Sequence, residues 1–448
     1  MKKPFVMIDG MNLGLEKGTG VATYARNLSY GLRDIGCEVG VLYGGRSAPG
    51  AESLLKEIAF FDSNVGKPPK WLAVLLAVQE AVIPGHGFTA AKVEISGRVI
   101  YDTFKSKMPY FDNVWNSRRL FERARASFTL WRILTPVTLP RTPDVMHWTY
   151  PIPLSAKDSK NIYTLHDLVP LRLPYTTLDN KRRYYRLVRK IAAKADHIVT
   201  VSECSKKDLI SLLGIPEEKI TNTYESVNIP AKYRDKPEDV VKREIEGTFG
   251  LKHRGYFLFY GSIEPKKNIG RLIEGYLASN VPTPLVIVGA QAWKSEQELR
   301  LTRSRTAAIA DKDQLQTHFL YENEKRVRRR IIQLEYAPFN LLVSLIRGAK
   351  ATVFPSLYEG FGLPVLESML LGTPVLSSNT SSIPEVAGNA ALLVDPYDTR
   401  AIAEGIRELD SNAELRAGLV AKGRKQAEVH SEEKHKQRLE TLYARLTY

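Results

Sequence analysis

Glu359 and Glu367 stand eight positions apart in the stretch FPSLYEGFGLPVLESMLLGTPV, residues 354–375. Between them lie Gly360, Gly362 and Pro364. ATVFPS reads as a strand, LYEGFG as the loop after its carboxyl end, and PVLESMLLG as a helix that closes near Gly372. Pro364 suits the first turn of that helix, where a missing N–H costs nothing. Ligands of open α/β sheets sit in the crevice beyond the strand ends. The free amides and positive dipole of a helix mouth hold phosphate. Carboxylates accept hydrogen bonds from hydroxyls, so the stretch is suited to an extended ligand carrying both phosphate and hydroxyl groups. A glycosidase would need two carboxyls facing one carbon, about 5 to 9 Å apart, which residues on either side of a tight turn need not satisfy. A plainer reading of Glu367 alone is a charge favoured near a helix N-terminus.

Positioning such a site takes two layers of alternating strands and helices. Apolar runs fall at FVMID, EVGVLY, DVMHW, IYTLHD and HIVTVS in the first half, and at YFLFYGS, PLVIVG, THFLY, ATVFPS and ALLVDP in the second. Continuous rather than alternating runs are expected of strands buried on both faces of a parallel sheet. The spacing predicts an α/β protein with two doubly wound sheets. The chain of 448 residues suits two domains of roughly 200 each. The expected division is 1–235, 236–428, and a helix over 429–448 returning toward the first domain. Residues 60–143 fit the scheme poorly. Within them, Leu120, Ala124, Phe128 and Trp131 share a helical face ringed by Arg118, Arg119, Arg123, Arg125 and Arg132. Such a helix either covers its own core or lies on a membrane interface.

Bulk composition narrows the classes. A hydrophobic content of 44% with 25% charged residues is that of a globular chain. Two cysteines, Cys37 and Cys204, do not make a disulfide framework, and a reducing cytosol is the simpler setting. MKKPFVMIDG reads as a first strand rather than a signal peptide. The longest apolar block, WLAVLLAV, falls far short of the roughly 20 residues of a membrane span. A net charge of +15 favours anionic partners. The basic runs KRRYYRLVRK and KRVRRRII carry no nucleic-acid-binding motif, so an anionic membrane face or a solvated helix is preferred.

More than forty residues, PSLYEGFGLPVLESMLLGTPVLSSNTSSIPEVAGNAALLVDP, resemble the donor-site signature of the retaining glycosyltransferases of family 4, which have the GT-B fold. The resemblance implies that Glu367 binds a nucleotide ribose and Glu359 the hydroxyls of the transferred sugar. It also implies that the backbone around Phe361, Gly362 and Leu363 lies against the sugar diphosphate. FLFYGSIEPKKNIGRLIEGY resembles the family's basic-pair loop, with Lys267 matching the lysine on the diphosphate. Two departures stand out: Ser262 where many members have arginine, and Lys266 where the pair often begins with arginine.

DGMNLGLEKGTGVATYARNLSYGL is similar to the opening strand and glycine loop, where Gly18 and Gly20 approach the sugar phosphate. Val21, Tyr24, Ala25, Leu28 and Leu32 mark the core face of the helix that follows. IYTLHDLVPLRLP carries His166 at a strand end, as in the family's N-terminal histidine motif, and the resemblance implies a place beside the donor sugar; His147 in DVMHWTYPIP also ends a strand and is expected near the acceptor. Ser202 is expected to cap the helix that begins SKKDL.

The family likeness implies a retaining hexosyltransferase that takes a nucleotide diphosphate sugar, with the IEPKKN form leaning to GDP-mannose. The acceptor is expected to be a glycan hydroxyl, lipid-linked, in surface polysaccharide synthesis. The expected setting is cytoplasmic, with peripheral attachment at the inner face of the plasma membrane as an option. No metal and no other cofactor is expected. Asp311–Asp313, though spelled Asp-x-Asp, lies in a polar run rather than at a strand end. A nucleotide-sugar epimerase, a sugar phosphorylase and a non-catalytic nucleotide-sugar or membrane-binding scaffold remain open beside this reading.

Overall fold

The computed structural model describes residues 3–13, 20–45, 57, 87–96, 98–99, 108–301 and 330–447. Gly18, the run THFLY and Asp311–Asp313 lie outside the described residues. Two sheets carry the architecture. The first holds β1 (Phe5–Asp9), β2 (Glu38–Tyr43), β3 (Ala91–Val93), β4 (Asn113–Asn116), β5 (Val145–Trp148), β6 (Lys160–Thr164), β7 (His197–Thr200) and β8 (Ile220–Asn222). Their order across the sheet is β8-β7-β6-β5-β1-β2-β4-β3, all parallel except the β3–β4 pair. The second holds β9 (Phe257–Tyr260), β10 (Leu285–Val288), β11 (Ile331–Leu334), β12 (Ala351–Phe354), β13 (Val375–Ser378) and β14 (Leu392–Val394). Its order is β11-β10-β9-β12-β13-β14, parallel throughout. β1, β5, β7, β9, β10, β12 and β13 are buried at every residue, as strands covered on both faces must be. In each sheet the order reverses beside the strand that begins it, β1 and β9, and a crevice opens there at the carboxyl ends.

The helix α1 (Gly20–Asp34) buries Tyr24, Ala25, Leu28 and Leu32 as the spacing predicts, with Ala22, Ser29 and Gly31 added and Val21 only half-buried in the first turn. It packs against the C-terminal helix Glu432–Thr447, whose Leu439, Leu442, Tyr443 and Leu446 join Val6, Ile8, Tyr24 and Leu28 in one apolar cluster. Gly31 lets the two helices meet: a Cβ there would stand 2.8 Å from Leu439. The basic amphipathic helix spans Leu120–Trp131 and buries Leu120, Ala124 and Phe128, the first two in one apolar cluster with Phe5, Met7 and Trp115 of the first sheet. Trp131 departs from the expected face. It lies in the last turn, beyond the edge of the core, and is 51% exposed beside Leu130 at 59%.

His147 requires correction. It was expected near the acceptor, yet it is fully buried within β5. Its Nδ1 is 2.6 Å from the Tyr443 hydroxyl and its Nε2 is 2.7 Å from Thr164 Oγ1. Both ring nitrogens are thus used inside the fold. Burial, with the nearby His166 and His197, pushes its pKa down to about 3, so it is a neutral core residue that ties the C-terminal helix to the first sheet.

Candidate functional site

The turn that follows β9 carries the cations. Pro265–Lys267 forms one 3₁₀ turn, and Asn268 ends it in the left-handed region at φ 61°. Asn268 Nδ2 donates to the carbonyls of Pro355 (2.9 Å) and Pro396 (2.7 Å), fastening the turn to the loops after β12 and β14. The Leu357 amide donates to the Lys266 carbonyl at 2.8 Å. These bonds bring the basic pair under the loop that holds Glu359. Lys267 Nζ lies 2.6 Å from Glu359 Oε1, and Lys266 Nζ lies 3.8 Å from Glu359 Oε2. Lys267 also sits 4.8 Å above the Phe354 ring. Burial opposes ionisation of Glu359, but the two lysines outweigh it and hold the carboxyl below its ordinary range. Burial likewise opposes the charge on Lys266, and Glu359, Asp167 and Glu264 together raise its pKa above the usual lysine value.

The Glu359 loop is clamped from the segment SNTSSIPEV. The Glu359 amide donates to Ser381 Oγ at 3.1 Å, and Ser382 Oγ donates to the carbonyls of Glu359 (2.9 Å) and Phe361 (2.8 Å). Gly362 starts the helix Leu363–Leu370 at φ 110°, ψ 48°, where a Cβ would also meet Ile383 at 2.6 Å. Glycine is therefore required at this turn. Leu363, as the first helical residue, has an amide with no acceptor in the helix. The side chain of Phe361 turns the other way, into an aromatic group with Tyr224 and His430. Glu367 lies one turn into the helix. Burial raises its pKa; Tyr260 and Lys267 oppose that shift, and Glu225 adds to it.

The first lobe faces these groups. A Cβ on Gly20 would stand 3.9 Å from Leu363 Cδ1, which sets the start of α1 against the helix Leu363–Leu370. A Cβ on Gly360 would stand 2.9 Å from the His166 carbonyl oxygen and 3.3 Å from Asp167 Cβ. Glu359 and His166 therefore belong to one space between the lobes. Further contacts hold the lobes together. Glu385 of the second lobe accepts from the amides of Glu203 (2.8 Å) and Cys204 (3.2 Å), at the start of the helix Glu203–Leu213. Ser202 caps the same helix as expected, through the Ser205 amide at 3.0 Å. The Tyr358 hydroxyl donates to Asp208, and Trp293 Nε1 donates to the Thr176 carbonyl at 2.8 Å.

Of the residues singled out from sequence, His166, Lys266, Lys267, Glu359, Gly362, Leu363, Glu367 and Gly20 line or border this cleft. Ser262 is exposed at its rim, with its hydroxyl on Glu264 at 3.2 Å. Phe361 contributes backbone only. Four groups were not anticipated. Glu264, buried inside the motif IEPKKN, adds to the field on Lys266. Tyr260 donates to the Pro364 carbonyl at 2.8 Å and steadies the helix Leu363–Leu370. Asp9, at the end of β1, takes the amides of Thr149 and Met11. Glu225 follows β8 and faces His166. Asp9 was visible as a carboxylate at a strand end; Glu225, in YESVN, carried no local signal. Among the described residues no group of three or more His, Cys, Asp or Glu side chains is placed to hold a metal ion.

Residues 241–426 match the model of the glycosyl transferases group 1, and residues 98–229 match that of glycosyltransferase family 4. The chain is similar to the O-antigen chain mannosyltransferase B of Escherichia coli, 30% identical over 60% of this chain and 66% of that protein. It is also similar to the O-antigen chain mannosyltransferase RfbU of Salmonella typhimurium, 28% identical over 55% of this chain and 60% of that one. The matched region thus spans a little under two thirds of these relatives. In fold it resembles Anabaena Alr3699/HepE, solved with UDP and glucose. There the TM-score is 0.61 at 14% identity, covering 99% of this chain and all of the other.

Proposed function

This chain belongs to the glycosyl transferases of group 1 and family 4, with two Rossmann-like lobes of the GT-B fold, and on that premise we propose that it moves a hexose from a nucleotide diphosphate sugar to a glycan hydroxyl with retention. The observation that carries the proposal is the pair of lysines held on Glu359 in the inter-lobe space opposite His166. An arriving diphosphate offers those ammonium groups a stronger anion than one carboxylate. It draws them onto its oxygens and frees Glu359 for the hydroxyls of the sugar. The amide of Leu363 and the helix behind it add to the anion site. As the bond to the anomeric carbon stretches, Lys267 and Lys266 stabilise the charge that accumulates on the departing phosphate. In front-face displacement that phosphate takes the acceptor proton, so no enzyme nucleophile is required. Two ammonium groups in place suit turnover without a divalent metal.

The relatives' names as O-antigen mannosyltransferases support GDP-mannose as donor and a lipid-linked polysaccharide as acceptor. A basic surface agrees with that acceptor. The helix Lys181–Lys194 has no acidic residue and exposes Arg182, Arg183, Tyr185, Arg186 and Arg189. Leu178 lies near its start at 70% exposure. Such a face is attracted to anionic headgroups. Among the described residues no helix is long and apolar enough to cross a membrane. The test is incubation of the full chain with radiolabelled GDP-mannose and other nucleotide sugars, in anionic vesicles carrying lipid-linked glycan, with and without EDTA. The expected product is labelled glycolipid of unchanged anomeric configuration, formed equally well in EDTA. Epimerised donor, phosphate-dependent release of sugar 1-phosphate, or donor binding with no turnover would each replace this reading with another.

The ribose contact assigned to Glu367 sets a pH dependence. Its folded pKa is raised, so ionising this carboxyl is disfavoured in the free protein. Its stabilising contribution is complete below the ordinary carboxyl value of about 4.3 and is lost as pH rises through the raised one. Ribose hydroxyls bind the ionised form. The affinity for GDP-mannose, measured by calorimetry, is therefore expected to strengthen as pH rises through that same window. In Glu367→Gln the affinity should be weaker and flat across the window; a flat wild-type profile would remove the contact.

A further inference from the structure

His166 is fixed on three sides. Its Nε2 lies 3.0 Å from the Thr149 carbonyl oxygen. That oxygen can only accept, so Nε2 carries a hydrogen. Thr149 is itself held, because its amide donates to Asp9 at 2.5 Å. The ring stands edge-on to Tyr24 of α1, with centroids 4.7 Å apart. The remaining nitrogen, Nδ1, faces Glu225 Oε1 at 3.4 Å, and the two side chains are only 12% and 10% exposed.

With Nε2 protonated, a neutral ring would turn the Nδ1 lone pair toward the lone pairs of a carboxylate. In a nearly buried place that is repulsive. A proton between the two groups removes the repulsion. An ordinary carboxylic acid releases its proton about two pH units below an imidazolium, so the proton belongs on the ring. The other titratable neighbours do not compete for it. Tyr24 has its pKa pushed well up by burial. His147, from β5, is held neutral. Asp167, next in the chain, and Glu367, whose field reaches Glu225 across the cleft, add no positive charge, and the cations opposite, Lys266 and Lys267, are paired with Glu359.

We propose that Glu225 is a positioning residue that keeps His166 doubly protonated, so that His166 meets the ligand as a cationic donor and not as a base. The 3.4 Å separation is loose for a hydrogen bond, which leaves the Nδ1 hydrogen available to a ligand oxygen entering the cleft. The identity of that ligand rests on the transfer reading above; the protonation state of the ring does not.

The experiment uses the full chain labelled with ¹⁵N-histidine, and long-range ¹H–¹⁵N spectra at about pH 7.5, where an unperturbed histidine is mostly neutral. His166→Gln assigns the resonance. The wild type is expected to show both nitrogens of His166 protonated. Glu225→Gln, which keeps shape and removes the charge, is expected to show the neutral Nε2–H form, and Glu225→Asp to restore the cation at least in part. A neutral His166 in the wild type, or an unchanged signal in Glu225→Gln, overturns the assignment. In a parallel arm, Glu225→Gln should lose about tenfold in turnover of GDP-mannose, the size of one charge-assisted hydrogen bond. If the wild type turns over no donor while the spectra come out as expected, the transfer reading fails and the Glu225–His166 pair stands.

Discussion

Lys267→Ala is expected to lower the turnover number about a hundred- to a thousandfold, the cost of removing one fixed group from a site of developing negative charge. Its Nζ is 2.6 Å from Glu359 and nearly out of solvent, so the charge is already placed before ligand arrives. Lys266, at 3.8 Å from the other carboxylate oxygen, replaces it incompletely. Lys267→Arg should recover only part of the loss, because a planar fork does not fit the place of a point charge over the Phe354 ring. The same substitution affects stability through Glu359, whose carboxyl is held ionised by both lysines against its burial. Losing one partner exposes that conflict, so Lys267→Ala should melt below wild type. Adding Glu359→Ala should return part of the melting temperature while leaving turnover as low. Single-turnover kinetics and thermal unfolding on the four proteins form a double-mutant cycle. Wild-type turnover in Lys267→Ala would end the assignment of the leaving-group site.

The parts of the site that were legible in the sequence are those built by one continuous strand–loop–helix. Glu359, Gly362 and Glu367 follow β12 directly, and Lys266 and Lys267 follow β9 directly, so local spacing alone fixes which sheet edge they reach. Pairing between the loops was not legible. Asn268 fastens Pro355 and Pro396, residues 87 and 128 positions away, and nothing in its own neighbourhood announces this. His147 and Glu225 exchange their expected weight for the same reason. A histidine at a strand end looks functional, but whether its ring points to the cleft or the core depends on Tyr443, 296 positions later. Glu225 follows a three-residue strand, and only the fold brings it to His166. β13 was missed because VLSS ends in two serines. Their hydroxyls are buried and bonded to the carbonyls of Phe354 and Ser356, which satisfies them in a way hydropathy cannot register.

The architecture beneath the basic pair also makes a large prediction about stability. β9 and β10 run parallel, and both leave the sheet through glycine, at Gly261 and Gly289. The Gly261 amide donates to the Val288 carbonyl at 2.9 Å, and the Gly289 amide to the Leu334 carbonyl at 2.8 Å. The backbones run so closely side by side here that a Cβ on Gly289 would stand 1.8 Å from the Gly261 carbonyl oxygen. Backbone cannot swing aside as a side chain would, and Gly289 also has φ 159°, which side-chain-bearing residues avoid. Gly289→Ala is therefore expected to cost about 3 kcal/mol or more, from overpacking and backbone strain together. For a lobe of this size that lowers the melting temperature by roughly 6 to 12 °C. The damage should reach chemistry too. Ile263, just beyond this close approach, exchanges backbone bonds with Ala290 (3.0 Å) and Ala292 (3.1 Å), and the turn bearing Lys266 and Lys267 begins two residues later. Turnover should thus fall even at temperatures where the variant remains folded. Gly247→Ala is the control, because that glycine lies in the helix Glu238–Phe249 with nothing within 4 Å of the new methyl. It should gain about 0.5 to 1 kcal/mol from helix propensity and leave turnover unchanged. Equal melting temperatures for the two variants would mean that the backbones do not approach at Gly261 and Gly289 as described, and the placement of the lysine turn would fall with that approach.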